Sequence, residues 1–110
     1  MNITEDLRAR LHSLRDEIDA ADRELLRLLN QRALLSLKVG QVKAAMSEEK
    51  SPGAIFDPQR ERQVLDNLAS WNTGILPRQH IENIWREIFS SSRALQRQEH
   101  FNIEILRVFT

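Results

Sequence analysis

Residues 7–43 read LRARLHSLRDEIDAADRELLRLLNQRALLSLKVGQVK. Within them Leu7, Leu11, Leu14, Ile18, Ala21, Leu25, Leu28, Arg32, Leu35, Val39 and Val42 recur alternately four and three apart. Such an alternation puts one stripe on one face of one helix. Ten of the eleven positions are apolar and the exception is an arginine. A guanidinium keeps its proton, so Arg32 needs an anion wherever the stripe is buried. Either the chain or a ligand supplies that anion.

Working outward, Thr4 reads as an N-cap, with Glu5 and Asp6 favourable in the first turn. From there to about Ala45 only Gly40 interrupts helical composition, at a cost of about 1 kcal/mol. The segment SEEKSPG, Ser47–Gly53, is a loop by composition. Asp57-Pro58 pairs an N-cap with proline at the first helical position. The second helix then runs to about Trp71, with Val64, Leu65 and Leu68 inward. Asn72-Thr73-Gly74 breaks it, and Pro77 opens a third helix whose apolar series is Ile81, Ile84, Ile88 and Leu95. The tail, HFNIEILRVFT, alternates at Phe101, Ile103 and Ile105 and fits a fraying helix equally well. The prediction is an all-α single domain over 1–110, with helices over about 5–45, 57–71 and 77–100 and the tail 101–110 unassigned.

The first helix constrains the assembly. Some 40 residues at about 1.5 Å rise span roughly 60 Å, whereas a compact chain of this length has a diameter of roughly 35 Å. The stripe stays apolar throughout, so the overhang needs a cover. A second copy is the simplest one, which predicts an intertwined helical homodimer; the alternative is a coiled-coil segment of a larger assembly.

Composition narrows the function. Lys plus Arg equals Asp plus Glu at 16 each, so no overall field recruits nucleic acid or a membrane. No stretch approaches the roughly 20 apolar residues of a membrane span, and the polar start MNITEDLRARLHSLRDE is no secretory signal. Cysteine is absent, which excludes disulfides and fits a cytoplasmic protein. His12, His80 and His100 lie far apart in sequence and predict no metal site.

Several polar residues sit where packing alone does not call for them. Lys43 follows Arg32 by eleven residues, close to three turns, so the two share an azimuth to within about 20°. Two long cations reaching toward each other suit a small dianion, although Lys43 alone also reads as an exposed lysine near a helix end. Ser92 and Gln96 are four apart on one face of the third helix and suit hydrogen bonds to a ligand. Taken singly, they also read as a small contact residue and a solvated amide. Asp57 and Glu61 are explained by capping and dipole compensation, but Arg60 in the same turn is not. Arg15 lies beside the stripe, too far along the helix from Arg32 to share one small ligand with it. Across an antiparallel dimer the two can meet.

The runs LRDEIDAADRELLRLLNQRALLSLKVGQVK (Leu14–Lys43), DPQRERQVL (Asp57–Leu65) and IWREIFSSSRALQ (Ile84–Gln96) together resemble the AroQ-type all-helical chorismate mutases. The likeness is greatest to the mutase domain at the N-terminus of bacterial bifunctional chorismate mutase/prephenate dehydratase proteins, and it covers about residues 7–98. It implies a domain-swapped homodimer of three helices per chain, acting on chorismate, either as a free-standing mutase or as the mutase domain of a longer parent protein with a fused dehydratase domain. It also implies the site. Arg15 enters from the opposite subunit, while Arg32, Lys43, Asp57, Arg60, Glu61, Ser92 and Gln96 come from the near one.

The implied reaction is the intramolecular Claisen rearrangement of chorismate to prephenate, in phenylalanine and tyrosine biosynthesis. It needs no metal or cofactor. Arg15 and Arg32 are expected to clamp the two substrate carboxylates, and Lys43 and Gln96 to donate to the ether oxygen. Glu61, with the backbone near Asp57, is expected to receive the ring hydroxyl, and Ser92 and Arg60 to support the ring carboxylate. Rival expectations are an isochorismate-pyruvate lyase of the same fold and a non-catalytic regulatory or adaptor module.

Overall fold

The computed structural model describes residues 2–46 and 56–109, the side chains of 99–109 excepted. The loop read over Ser47–Gly53 and the side chains of the tail lie outside the described residues. Among these the fold is all-helical, with α1 over Ile3–Met46, α2 over Pro58–Trp71 and α3 over Arg78–Phe109. The backbone of α3 continues through the tail, so the alternation at Phe101, Ile103 and Ile105 lies on a helix. No helix among the described residues is long and apolar enough to cross a membrane.

Local chemistry sets the helix ends. The cap of α1 is Asn2, ahead of the Thr4 expected from the sequence. Asn2 Oδ1 accepts from the Thr4 N–H at 3.0 Å, and its carbonyl takes the Asp6 N–H at 3.1 Å. Asparagine caps at least as well as threonine, so the helix starts earlier than a Thr4 cap would allow. Asp57 Oδ1 accepts from the Arg60 N–H at 3.0 Å and caps α2, with Pro58 at the first position. α2 ends at Asn72, whose Oδ1 accepts from the Gly74 N–H at 3.0 Å, a side-chain-closed turn. The Pro77 carbonyl then takes the first amides of α3, His80 at 3.1 Å and Ile81 at 3.2 Å.

The chain divides into two compact units, Met1–Arg32 and Ala33–Thr110. The first is the N-terminal part of α1. Its seam leucines and Ile18 are exposed, from 46% at Leu28 to 58% at Ile18. Arg27 donates to Glu24 on its polar surface, holding the Glu24 carboxyl below the ordinary carboxylate range.

In the second unit α2 and α3 run antiparallel, tied by Arg78 to Asp66 at 3.7 Å and by Arg93 to Glu61. Here α1 turns an unexpected face inward. Leu35, Val39 and Val42, the continuation of the seam, stay exposed, while Ser36, Gly40 and Ala44 are buried. Those three are spaced i, i+4, i+8 and form a strip of small residues. Among the described side chains of α3 the deeply buried ones are Phe89 and Gln96, seven residues apart on one face. Ile84, expected from its spacing to face inward, is 47% exposed. The strip of small residues explains the shift. It lets α3 approach α1 closely, so the face of α3 around Gln96 turns toward α1.

Candidate active site

α1 and α3 approach closely at Gly40 and Gln96. A Cβ placed on Gly40 would lie 3.1 Å from Gln96 Cγ and 3.2 Å from its Cα. The backbone of Gly40 is ordinary helix, so the residue is there for space and not for conformation. One turn earlier on α1, Ser36 Oγ accepts from Gln96 Nε2 at 3.0 Å. The amide is therefore held against α1 by a hydrogen bond at Ser36 and a bare backbone at Gly40. Its Oε1 is buried with no hydrogen-bond partner among the described residues. An orphaned buried acceptor costs about 1–3 kcal/mol, and that cost singles out Gln96 among the described polar side chains.

A second polar junction lies between α2 and α3. Arg93 Nη1 donates to Glu61 Oε2, and both side chains are about three-quarters buried, at 24% and 23% exposure. The Arg93 guanidinium carbon also sits 5.3 Å from the centroid of the Phe56 ring, within cation–π reach. Phe56 immediately precedes the Asp57 cap, so this junction fixes the first turn of α2 against α3.

Six of the eight candidate residues belong to the second unit. Lys43 is half-buried in the last turn of α1. Asp57 and Arg60 are exposed at the start of α2, where Arg60 Nη1 donates to Gln63 Oε1 at 2.5 Å. Glu61 faces α3, while Ser92 is half-buried and Gln96 buried on α3 itself. Direct hydrogen bonds bring α3 to α1 at Gln96 and to α2 at Glu61. Arg15 and Arg32 belong to the first unit, Arg15 exposed and Arg32 half-buried.

Sequence reasoning passed over Ser36, Gly40 and Arg93. The first two carried a signal, since small residues at 36, 40 and 44 recur every four positions beside the apolar seam. Arg93 carried little. Its pairing with Glu61 joins residues 32 apart in sequence, and no local pattern encodes it.

Residues 14–97 match the family model of chorismate mutase type II. The chain belongs to that family. Over 92 residues it is 36% identical to a bifunctional chorismate mutase/prephenate dehydratase of Aquifex aeolicus (strain VF5), a match covering 80% of this chain and 24% of that protein. A protein of the same description from Neisseria gonorrhoeae (strain ATCC 700825 / FA 1090) is 39% identical over 83 residues, covering 76% of this chain and 21% of its own length. The chain thus spans less than a quarter of the length of these curated relatives. The structure of a chorismate mutase (form II) from Thermus thermophilus superposes with a TM-score of 0.72 at 33% identity, covering 80% of this chain and 94% of that one. The chorismate mutase type II match takes in every candidate position from Arg15 to Gln96.

Proposed function

We propose that the chain catalyses the rearrangement of chorismate to prephenate, as a homodimer in which Arg15 of each protomer completes the site of the other. The observation that carries this reading is the family match over residues 14–97, within which all eight polar candidates keep the residue types the chemistry asks for. The reaction is pericyclic and asks for no nucleophile or base. The protein's tasks are to hold a compact, chair-like substrate conformer and to place charge where charge develops.

Arg15 and Arg32 meet the two carboxylates, where the planar fork of a guanidinium fixes orientation as well as charge. Lys43 and Gln96 donate to the ether oxygen as its bond to carbon breaks. The surroundings of Gln96 suit that task. A serine hydroxyl donates or accepts as required, so with the amide turned over, Ser36 donates to Oε1 and both N–H groups are left for a ligand oxygen. Glu61 receives the ring hydroxyl beside the capped turn at Asp57, and Ser92 and Arg60 support the ring carboxylate.

The dimer is supported by the seam. Leu7, Leu11, Leu14, Ile18, Leu25 and Leu28 form one exposed apolar stripe along α1, more than a lone soluble chain leaves bare. A second copy crossing in the opposite direction covers it and delivers Arg15.

The direct test is an assay of the purified chain for chorismate depletion, with product identification. Prephenate is the expected product, formed without added metal or cofactor. Inertness toward chorismate, or release of salicylate and pyruvate from isochorismate alone, would overturn the reading.

Gly40→Ala probes the α1–α3 approach. The added methyl meets the backbone of α3, so Gln96 must shift by a few tenths of an ångström. A misplacement of about 1 Å costs about 100-fold, so a loss of about tenfold in kcat/KM is expected. The melting temperature should change little, because alanine recovers about 1 kcal/mol of helix propensity. Full activity in a stabilised variant would show that the close approach does not position the amide.

A further inference from the structure

The Glu61–Arg93 junction carries an inference that deepens the mutase reading and rests on it. Glutamate has three side-chain torsions, and a free carboxylate beside an exposed helix start samples many orientations. Glu61 does not have that freedom. Its Oε2 is taken by Arg93 Nη1 from a different helix, and the guanidinium is itself seated over the Phe56 ring. Oε1 is the oxygen that Arg93 does not take. The junction therefore presents one oxygen in a set direction before any ligand arrives.

As a source of stability the pair is modest, since an ion pair open to water on about a quarter of its surface is partly screened. Its value lies in orientation. Ordering a flexible side chain in advance removes that cost from the binding step.

We propose that Arg93 is a positioning residue that holds the Glu61 carboxylate so that Oε1 accepts the ring hydroxyl of the substrate. It sets specificity for a hydroxylated ring without touching the substrate itself. The residue lies three positions before Gln96 and one after Ser92 on α3, so a single turn of that helix would serve both the breaking bond and the ring hydroxyl.

The test is a double-mutant cycle on the full chain, read as kcat/KM for chorismate and for an analogue lacking the ring hydroxyl. Arg93→Leu is expected to lower kcat/KM for chorismate about tenfold, mainly through KM, and to leave the analogue almost unaffected. In a Glu61→Gln background the same change is expected to do little further, because the oriented carboxylate is already lost. Arg93→Lys, which keeps a donor, is expected to restore part of the discrimination and serves as the variant if Arg93→Leu fails to show helical circular dichroism. Equal losses in both backgrounds, or equal losses for both compounds, would reduce Arg93 to a tie between helices and overturn the proposal. An active wild-type chain with an additive cycle sinks only the role of Arg93; a wild-type chain inert toward chorismate sinks the mutase reading as well.

Discussion

Lys43→Ala is expected to lower kcat/KM for chorismate about 100- to 1000-fold, with the loss falling on kcat. The ether oxygen carries little charge in the bound substrate and gains it only as the C–O bond breaks. A donor aimed at it therefore stabilises the transition state far more than the ground state, and removing one such donor typically costs about 3–4 kcal/mol. The folded state depends on Lys43 much less. It sits in the last turn of α1, where a cation contributes about 0.3–1 kcal/mol against the helix dipole. Thermal melting should accordingly shift by only a few degrees while activity collapses. Steady-state kinetics beside a melt separates the two. A loss below tenfold, or one confined to KM, would remove Lys43 from the breaking bond and leave it as a helix-end charge.

Mixing two inactive variants is expected to restore activity. Under the proposed dimer, Arg15→Ala would remove the cation supplied to the neighbour, and Lys43→Ala would remove the donor of a protomer's own site. Refolded together in equal amounts, half of the dimers are heterodimers by chance. Each heterodimer contains one site lacking both groups and one site lacking neither. The mixture should recover about one quarter of wild-type activity. No recovery after unfolding and refolding would place Arg15 in the site of its own chain, and an active Arg15→Ala variant on its own would place it outside the site. The experiment also tests the seam, because exchange of subunits requires that two copies assemble through α1.

Parts of this molecule were legible in its residues. The four-three alternation of residues 7–42 is a local property of one helix, and α1 over Ile3–Met46 follows from it. Asp57-Pro58 names the start of α2 for the same reason, since a cap and a proline act within one turn. The candidate site was only partly legible. Arg32 and Lys43 stood out because cations beside an apolar stripe are costly unless answered. Ser36 and Gly40 left only the four-residue recurrence of small side chains, which is fainter than an apolar stripe, and Arg93 left none, because an arginine on a solvated helix is ordinary.

The amino-acid sequence by itself determined three helices, the great length of the first, and a stripe of apolar side chains that one chain leaves uncovered. Each follows from interactions within a few residues: periodicity, capping and the reach of a helix turn. Only the tertiary structure decided that α1 presents Ser36, Gly40 and Ala44 to the rest of its unit while the leucines stay outside. It alone placed Gln96 against bare backbone and Glu61 under the guanidinium of Arg93. Those choices depend on how closely two helices can approach, which is set by steric fit between residues far apart in the chain, and no pattern within one helix names its partner.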